Sequence, residues 1–277
     1  MSVNLSAVAQ IEFDSMVKQA YQGTGILRGT VTQRNNVVGD TYKFRAMGKG
    51  LANQKATSAA VTAMGVGHSF SVATLANWNA PEFTDIFDAA EVNFDEKQEL
   101  AEVIAGALGR RSDQLIIDAM DLVTPTASDI VAGGTNLTIA KLIEAQVALR
   151  DQGVANSELY AVIESFGLGG LLSDEKASSA DYQNVKALVR GDIDTLCGFK
   201  INTVETRAEG GLTEAVNVVD SYFYHKAAVG LATGIEMKTE INYVPERTSW
   251  LTNGVMKAGS VVRDLGGLVK VQYDKTA

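Results

Sequence analysis

An α+β protein is what this sequence predicts, and three patterns predict it. Leu100, Val103, Ile104, Ala107, Leu108, Leu115, Ile116 and Met120 recur at the spacing of one apolar helix face. Residues 159–163 (LYAVI) form a short unbroken apolar run, the signature of a buried strand. Residues 236–244 (EMKTEINYV) alternate polar and apolar, as a strand with one wet face does. Helix and strand signals follow one another without an internal repeat or a low-complexity tail.

The elements follow in order. Residues 28–47 (through GTVTQRNNVVGDTYKFRAM) read as two short strands around an Asn-Asn and Gly-Asp turn. The next stretch, to Trp78, is rich in Gly, Ala, Ser and Thr and has no helical stripe. It can bury little, so it is expected to be extended and mobile. A long helix is expected over 88–122, with acidic first turns that complement the positive end of its dipole. Gly106 and Gly109 predict a bend in it, since each costs roughly 0.5–1 kcal/mol against alanine. Pro125 and Gly133-Gly134 end the unit. The second half alternates: a helix at 138–152, the strand at 159–163, and short helices at 165–172 and 180–189. Strands follow at 199–205 and 215–219, then a short apolar segment at 227–231. The strand at 236–244 leads to the last two, at 254–263 and 268–273, which are separated by Gly266-Gly267.

Composition narrows the function. The chain has 277 residues, 46% of them hydrophobic and 21% charged, which is globular rather than disordered. A net charge of -9 argues against a general nucleic-acid binder. The single cysteine, Cys197, excludes an intrachain disulfide and any zinc site built on paired thiolates. The opening residues MSVNLSAVAQIEFDSMV carry no basic leader ahead of an apolar run, and no stretch reaches the roughly 20 apolar residues of a membrane helix. The expectation is a soluble chain made in the cytoplasm with no membrane partner. On that expectation, the glycosylation-type triplets at Asn4 and Asn136 are chance matches.

The charge is unevenly spread. Residues 28–78 hold six basic residues (Arg28, Arg34, Lys43, Arg45, Lys49 and Lys55) against Asp40 alone, net +5. Residues 82–102 hold eight acids, Glu91, Asp95 and Glu99 among them, against Lys97 alone, net -7. Adjacent blocks of opposite sign are either surfaces that meet, within a chain or between copies, or two solvated faces that never touch.

No convergent catalytic pattern is present. Only His68 and His225 could serve a nucleophile as base, and no G-x-S-x-G elbow exists. His225, among aromatics in YFYHKA, reads as a hydrogen-bonded structural residue, and Cys197 as a small buried thiol. Gly167-Leu168-Gly169-Gly170 lacks the last glycine of a dinucleotide fingerprint and the Lys-Ser/Thr of a phosphate loop. Asp192 and Asp194 could hold a divalent cation but lack the spacing of a calcium loop. No catalytic residue, cofactor-binding residue or metal ligand is assigned, which shifts weight from enzyme to structural or binding protein.

The order of elements resembles a known family over nearly the whole chain. LTIAKLIEAQVALRDQGV followed by ELYAVIESFGLGGLLSD resembles a helix leading into "Tyr-x-Val-Ile", a second helix and an aspartate. VRGDIDTLCGFKI resembles a Gly-x-Ile…Gly-Phe-x-Ile turn and strand. HKAAVGLATG and MKAGSVVRDLGGLVKV resemble the segments that enter and close the same fold. With the basic excursion and the long helix, these resemble the tailed-bacteriophage major capsid proteins of the Hong Kong 97-type fold. Encapsulins share that fold and are a weaker resemblance. A soluble α+β enzyme or ligand-binding protein is the alternative from another class.

The resemblance implies an organisation. Residues 1–27 would be an N-terminal arm, 28–78 the extended loop, and 79–134 a peripheral domain with its spine helix. Residues 135–231 would be the axial domain, 232–263 the peripheral-domain strands, and 264–277 a C-terminal strand returning to the axial domain. It implies a homo-oligomer of hexamers and pentamers forming an icosahedral shell around DNA, without sequence-specific binding. It also implies scaffolding, portal and decoration proteins as partners, with scaffolding separate, absent or already removed. Location would be the virion. Arg34, Lys43, Arg45 and Lys49 of one subunit would face Glu91, Asp95 and Glu99 of a neighbour. Glu246 and Arg247, in the turn VPERTSW, would pair between subunits at three-fold contacts or form an ordinary polar hairpin loop. Crosslinking would need a loop lysine; Lys49 and Lys55 are there, but no partner asparagine or catalytic acid is identified.

Overall fold

The computed structural model describes residues 25–86, 96–123, 128–173, 195–204 and 211–276, with side chains of the long helix from Glu99 onward. The helix expected at 180–189, the pair Asp192 and Asp194, most of the expected arm, Glu91 and Asp95 lie outside the described residues.

Two sheets carry the chain. The first has four strands: β1 (Thr32–Arg34), β4 (Ala76–Asp85), β10 (Val229–Val244) and β11 (Ser249–Val262), in the order β1-β10-β11-β4. Only the β1–β10 pairing is parallel. The second has β5 (Leu159–Glu164), β6 (Thr195–Leu196), β7 (Phe199–Val204), β9 (Val218–His225) and β12 (Leu268–Asp274), in the order β12-β9-β5-β7-β6. The short β8 (Glu214–Ala215) is added on β9. A separate two-stranded ribbon pairs β2 (Thr41–Met47) with β3 (His68–Thr74). Among the described residues three helices complete the fold: α1 (Glu96–Asp121), α2 (Ile139–Asp151) and α3 (Ser165–Ser173).

The long helix links the two sheets. Ile104 and Leu108 of α1 rest on the four-stranded sheet at Gly254, where a Cβ would stand 2.3 Å from Ile104 Cγ2. One helical span later, Ile116, Ile117 and Met120 join Tyr222, Tyr224 and Leu268 of the six-stranded sheet in the same buried cluster. The other face of that sheet is covered by α2 and α3, through Leu142, Ala145, Leu149 and Leu171 against Phe199, Phe223 and Tyr273. The C-terminal end of α1 is tied down by charge. Asp121 accepts from Tyr222 Oη (3.0 Å) and Lys270 Nζ (3.4 Å), and Lys270 also pairs with Asp220.

Several expectations need correction. The described part of the helix expected at 88–122 is Glu96–Asp121, with both glycines inside it, and residues 88–95 lie outside the described residues. Gly109 is a crossing point: a Cβ on Gly25 would lie 2.6 Å from the Gly109 carbonyl oxygen, so the chain passes there backbone on backbone. The two strands expected at 28–47 exist but do not pair with each other. β1 joins β10, and β2 turns to β3 across the stretch 48–67. That stretch has no strand or helix and is almost wholly exposed. The strand expected at 215–219 is broken by the turn at Val216-Asn217, both at positive φ, and the main strand is β9. The strand expected at 236–244 is the outer half of the 16-residue β10; rather than one wet face, residues 235–243 are exposed throughout. By contrast, α2 starts and stops within a residue of expectation, because Thr138 caps its N-terminus.

Among the described residues three tyrosines are shut in the core. Burial pushes the hydroxyls of Tyr222, Tyr224 and Tyr273 up, with Asp121 adding to it at Tyr222 and Glu164 at Tyr273. In the unfolded chain each ionises near pH 10. Their stability contribution is therefore fully present below that pH and is lost as pH rises above it. Tyrosinate absorbance is expected to rise in two stages, the second coinciding with loss of the far-ultraviolet dichroism. A single stage complete by about pH 11 with dichroism intact would contradict the burial of these rings.

Candidate functional site: the basic groove at the root of the ribbon

The ribbon has two unlike faces. Inward, Phe44 and Ala73 are buried with Leu75 and Ala232, with Tyr42 packed alongside, which anchors the ribbon to the four-stranded sheet. Gly230 makes room, since a Cβ there would stand 2.8 Å from the Phe44 ring. Outward, Lys43 and Arg45 of β2 alternate with the buried residues and stand beside exposed Phe70 and Val72 of β3. A two-stranded ribbon is marginal alone in water, and this one offers water a face that is both basic and apolar.

Where the ribbon meets β1 and the end of β11, a groove of about 980 Å³ opens. Arg34, Lys43, Arg45, His68 and Arg263 line it together with Tyr42, Phe44 and Phe70, and among the described residues no acid lines it. The cations are held by rings. The Arg34 guanidinium lies 5.8 Å from the Tyr42 centroid, Lys43 Nζ 4.8 Å from Phe70, and Arg263 5.3 Å from Phe44. Such stacking leaves N–H donors pointing away from the ring, open to an anion. None of these residues forms an ion pair with a described residue, and Arg263 Nε is buried with no acceptor among the described residues.

The structure therefore brings together three of the four cations singled out in the sequence. Lys49 is elsewhere: its Nζ donates to the Gln152 carbonyl at 2.7 Å, in the turn that ends α2. Glu99 is half-buried on the first described turns of α1. Glu246 and Arg247 occupy the exposed 3-10 turn Pro245–Arg247 between β10 and β11, which closes with Thr248 in the left-handed region. Arg247 is partly engaged, its guanidinium 4.6 Å from the Phe83 centroid. Arg263 and His68 join Arg34, Lys43 and Arg45 in the groove, and no local sequence pattern marks Arg263, which lies far along the chain from β2.

The other candidate chemistries find structural roles. His225 Nδ1 accepts the Ala227 N–H at 3.1 Å. Cys197 is half-buried in the turn between β6 and β7, and burial pushes its thiol up, away from nucleophile behaviour. The glycines of α3 are packing positions: a Cβ on Gly167 would meet the Tyr273 ring at 2.9 Å, and one on Gly170 the Asn136 amide at 2.6 Å. Lys141, almost fully buried, donates to the carbonyls of Ala132, Thr135 and Gln272 at 2.8–3.0 Å. Among the described residues no three His, Cys, Asp or Glu side chains converge on a metal site, and no helix is long and apolar enough to cross a membrane.

Comparison with known proteins agrees with this architecture. A family model described as phage capsid protein matches residues 5–275. Similar solved structures include the head of Helicobacter pylori bacteriophage KHP40 (TM-score 0.78, 10% identity, covering 99% of this chain and 98% of that one). The capsid of the cyanophage P-SCSP1u is similar as well (TM-score 0.75, 15% identity, 98% and 94% covered). So is the capsid of Ralstonia phage GP4 (TM-score 0.72, 11% identity, 96% and 95% covered). No curated protein matches the chain.

Proposed function

The chain belongs to the phage capsid protein family, and from that premise we propose that its copies assemble, as hexamers and pentamers, into the icosahedral head of a tailed phage. The head encloses double-stranded DNA without reading its sequence. The subunit is made in the host cytoplasm, and its role is structural rather than catalytic. Scaffolding, portal and decoration proteins are its further partners. The four-stranded sheet with the first part of α1 then serves as the peripheral domain, and the six-stranded sheet with α2 and α3 as the axial domain. The ribbon and the stretch 48–67 serve as the extended loop.

The observation that carries the assembly reading is the groove: a cluster of cations at the root of a ribbon with little core of its own, and no acid among the described residues that line it. The answering charge is the net -7 stretch 82–102 of a neighbouring copy, with Glu91, Asp95 and Glu99. Exposed pairs contribute only about 0–1 kcal/mol each, so the pattern sets register and assembly rate more than affinity. Repetition over every subunit of a closed shell multiplies a small term. Glu246 and Arg247 serve the corresponding contact at three-fold positions.

Electron microscopy of the purified protein is expected to show closed icosahedral particles; a compact monomer at every concentration would refute the reading. Neutralising Arg34, Lys43 and Arg45 together is expected to lower particle yield and flatten its dependence on ionic strength. Unchanged yield and unchanged salt dependence would remove the groove from the assembly contact.

A further inference from the structure

The four-stranded sheet ends in a strand edge with one side open. β1 covers β10 only at Gly230, Leu231 and Ala232, and the Val37 N–H reaches the Thr233 carbonyl at 3.0 Å. From Ile235 to Val244, β10 pairs with β11 on one side and with no described strand on the other. That leaves a ten-residue edge on which alternate residues turn their N–H and C=O outward, the part of a sheet that natural proteins blunt or use. It is not blunted by proline or by a run of like charge. Instead Ile235, Met237, Ile241 and Tyr243 all lie on it and are each about two-fifths exposed.

The sequence of this edge is complementary to itself. Antiparallel pairing of two copies about Thr239 sets Lys238 opposite Glu240 of the second copy, and Glu240 opposite Lys238 of the second copy. The same register sets Met237 opposite Ile241, twice; a bulge between Ile235 and Lys238 turns Ile235 to the other face, so the match ends there. Within one chain Lys238 Nζ and Glu240 Oε1 are 2.5 Å apart and both half-exposed, so the two charges already sit on one face and can exchange partners. No other residue as the centre of this edge gives both the charge match and the apolar match.

We propose that the outer half of β10 is a two-fold contact between copies of this chain, in which two β10 edges join antiparallel about Thr239 and merge two four-stranded sheets into one. The contact is isologous, so it closes on itself rather than growing into a filament. It rests on the shell reading above, in which two-fold axes relate neighbouring subunits. It is distinct from the groove contact, which joins unlike surfaces.

Two exposed charge reversals test it. The variant Lys238→Glu carries two acids at the edge, and Glu240→Lys two bases. Each is expected to fold with the parent's dichroism and to lose self-association at least tenfold by sedimentation. Mixed one to one, they are expected to associate again, because acids now face bases at both positions. The internal Lys238–Glu240 pair stays broken in both chains, so recovery in the mixture reports the contact between copies and not local stability. A second probe uses the axis itself. Thr239→Cys with Cys197→Ser is expected to form a disulfide-linked dimer on mild oxidation, since residues opposed across an antiparallel pair fall within disulfide reach. Single variants that associate like the parent, or a mixture that stays apart together with no dimer at position 239, would overturn the proposal. If the parent forms shells while the mixture stays apart, the shell reading stands and this contact falls. If the parent forms no shell while the mixture still pairs, the contact stands and the shell reading falls.

Discussion

Replacing Gly259 with alanine will unfold the root of the ribbon. A Cβ at this position in β11 would stand 2.0 Å from the Thr74 carbonyl oxygen, 2.7 Å from its carbon and 3.1 Å from Leu75 Cα. All three are backbone atoms, at the corner where β3 becomes β4. A flexible side chain could swing aside, but a corner held by pairing on both sides cannot. β3 is paired with β2 through Thr74, and β4 with β11 from Ala76. Either the corner lifts, opening the cluster of Phe44, Ala73, Leu75 and Ala232, or β11 shifts out of register. Overpacking typically costs about 1–3 kcal/mol, and a backbone-on-backbone clash belongs at or above the top of that range. Gly29 supplies the control, since nothing lies within 4 Å of where its Cβ would be and its φ is unremarkable. Gly29→Ala is expected within about 0.5 kcal/mol of the parent. Urea denaturation of the two variants side by side checks the contrast. Equal midpoints would mean that the corner is not where the structure has it.

That glycine shows why only part of the fold was legible from the sequence. Pattern reading works where an element has one dry face and one wet one, or one clear end. The long helix has its Leu/Ile/Met stripe, and α2 has Thr138 to start it. β9 defeated the same logic for a physical reason. It sits between β12 and β5, with Tyr222 and Tyr224 packed on one side and Phe223 on the other, so its sequence has no alternation to read. Gly254 and Gly259 look like weak points of a strand in isolation. They become close approaches only when α1 and the β3–β4 corner are laid across them, which is tertiary information.

The candidate site divides the same way. The basic cluster at Arg34, Lys43 and Arg45 was visible as local composition, because neighbours in sequence stay neighbours in a ribbon. Arg263 enters the groove from the far end of β11, and nothing local marks it. Lys49 belongs to the cluster by sequence, yet leaves it to cap the turn after α2. The self-matching edge of β10 lay in plain view as EMKTEIN. It had no meaning until the structure showed that one side of that strand is open.

Removing the Asp113 carboxylate will release the start of the described chain from the long helix. Asp113 is fully buried on α1 and accepts the backbone N–H groups of Ile26 at 2.8 Å and Leu27 at 3.0 Å. These two bonds hold the segment in place one step after it crosses Gly109, and just before Leu27 enters the main core cluster. Thr30 then closes the segment onto the core, its hydroxyl 2.5 Å from that of Tyr224. Asp113→Ala strands the buried Leu27 N–H, worth about 1–3 kcal/mol of lost solvation, releases the half-buried Ile26 N–H, and leaves a hole the size of a carboxylate. The expected loss is about 3 kcal/mol, with Asp113→Asn between it and the parent because one amide oxygen can still accept. The loss should also be local before it is global, since the freed donors lie at one edge of the fold. Limited proteolysis is therefore expected to cut Asp113→Ala near Ile26–Arg28 at urea concentrations where the rest of the chain resists. A variant that becomes weaker everywhere at once, with no early cleavage there, would show that the carboxylate supports the core of α1 and not the strap across it. The strap leads directly into β1 and the groove, so its release is expected to lower particle yield in assembly more than the stability loss alone accounts for.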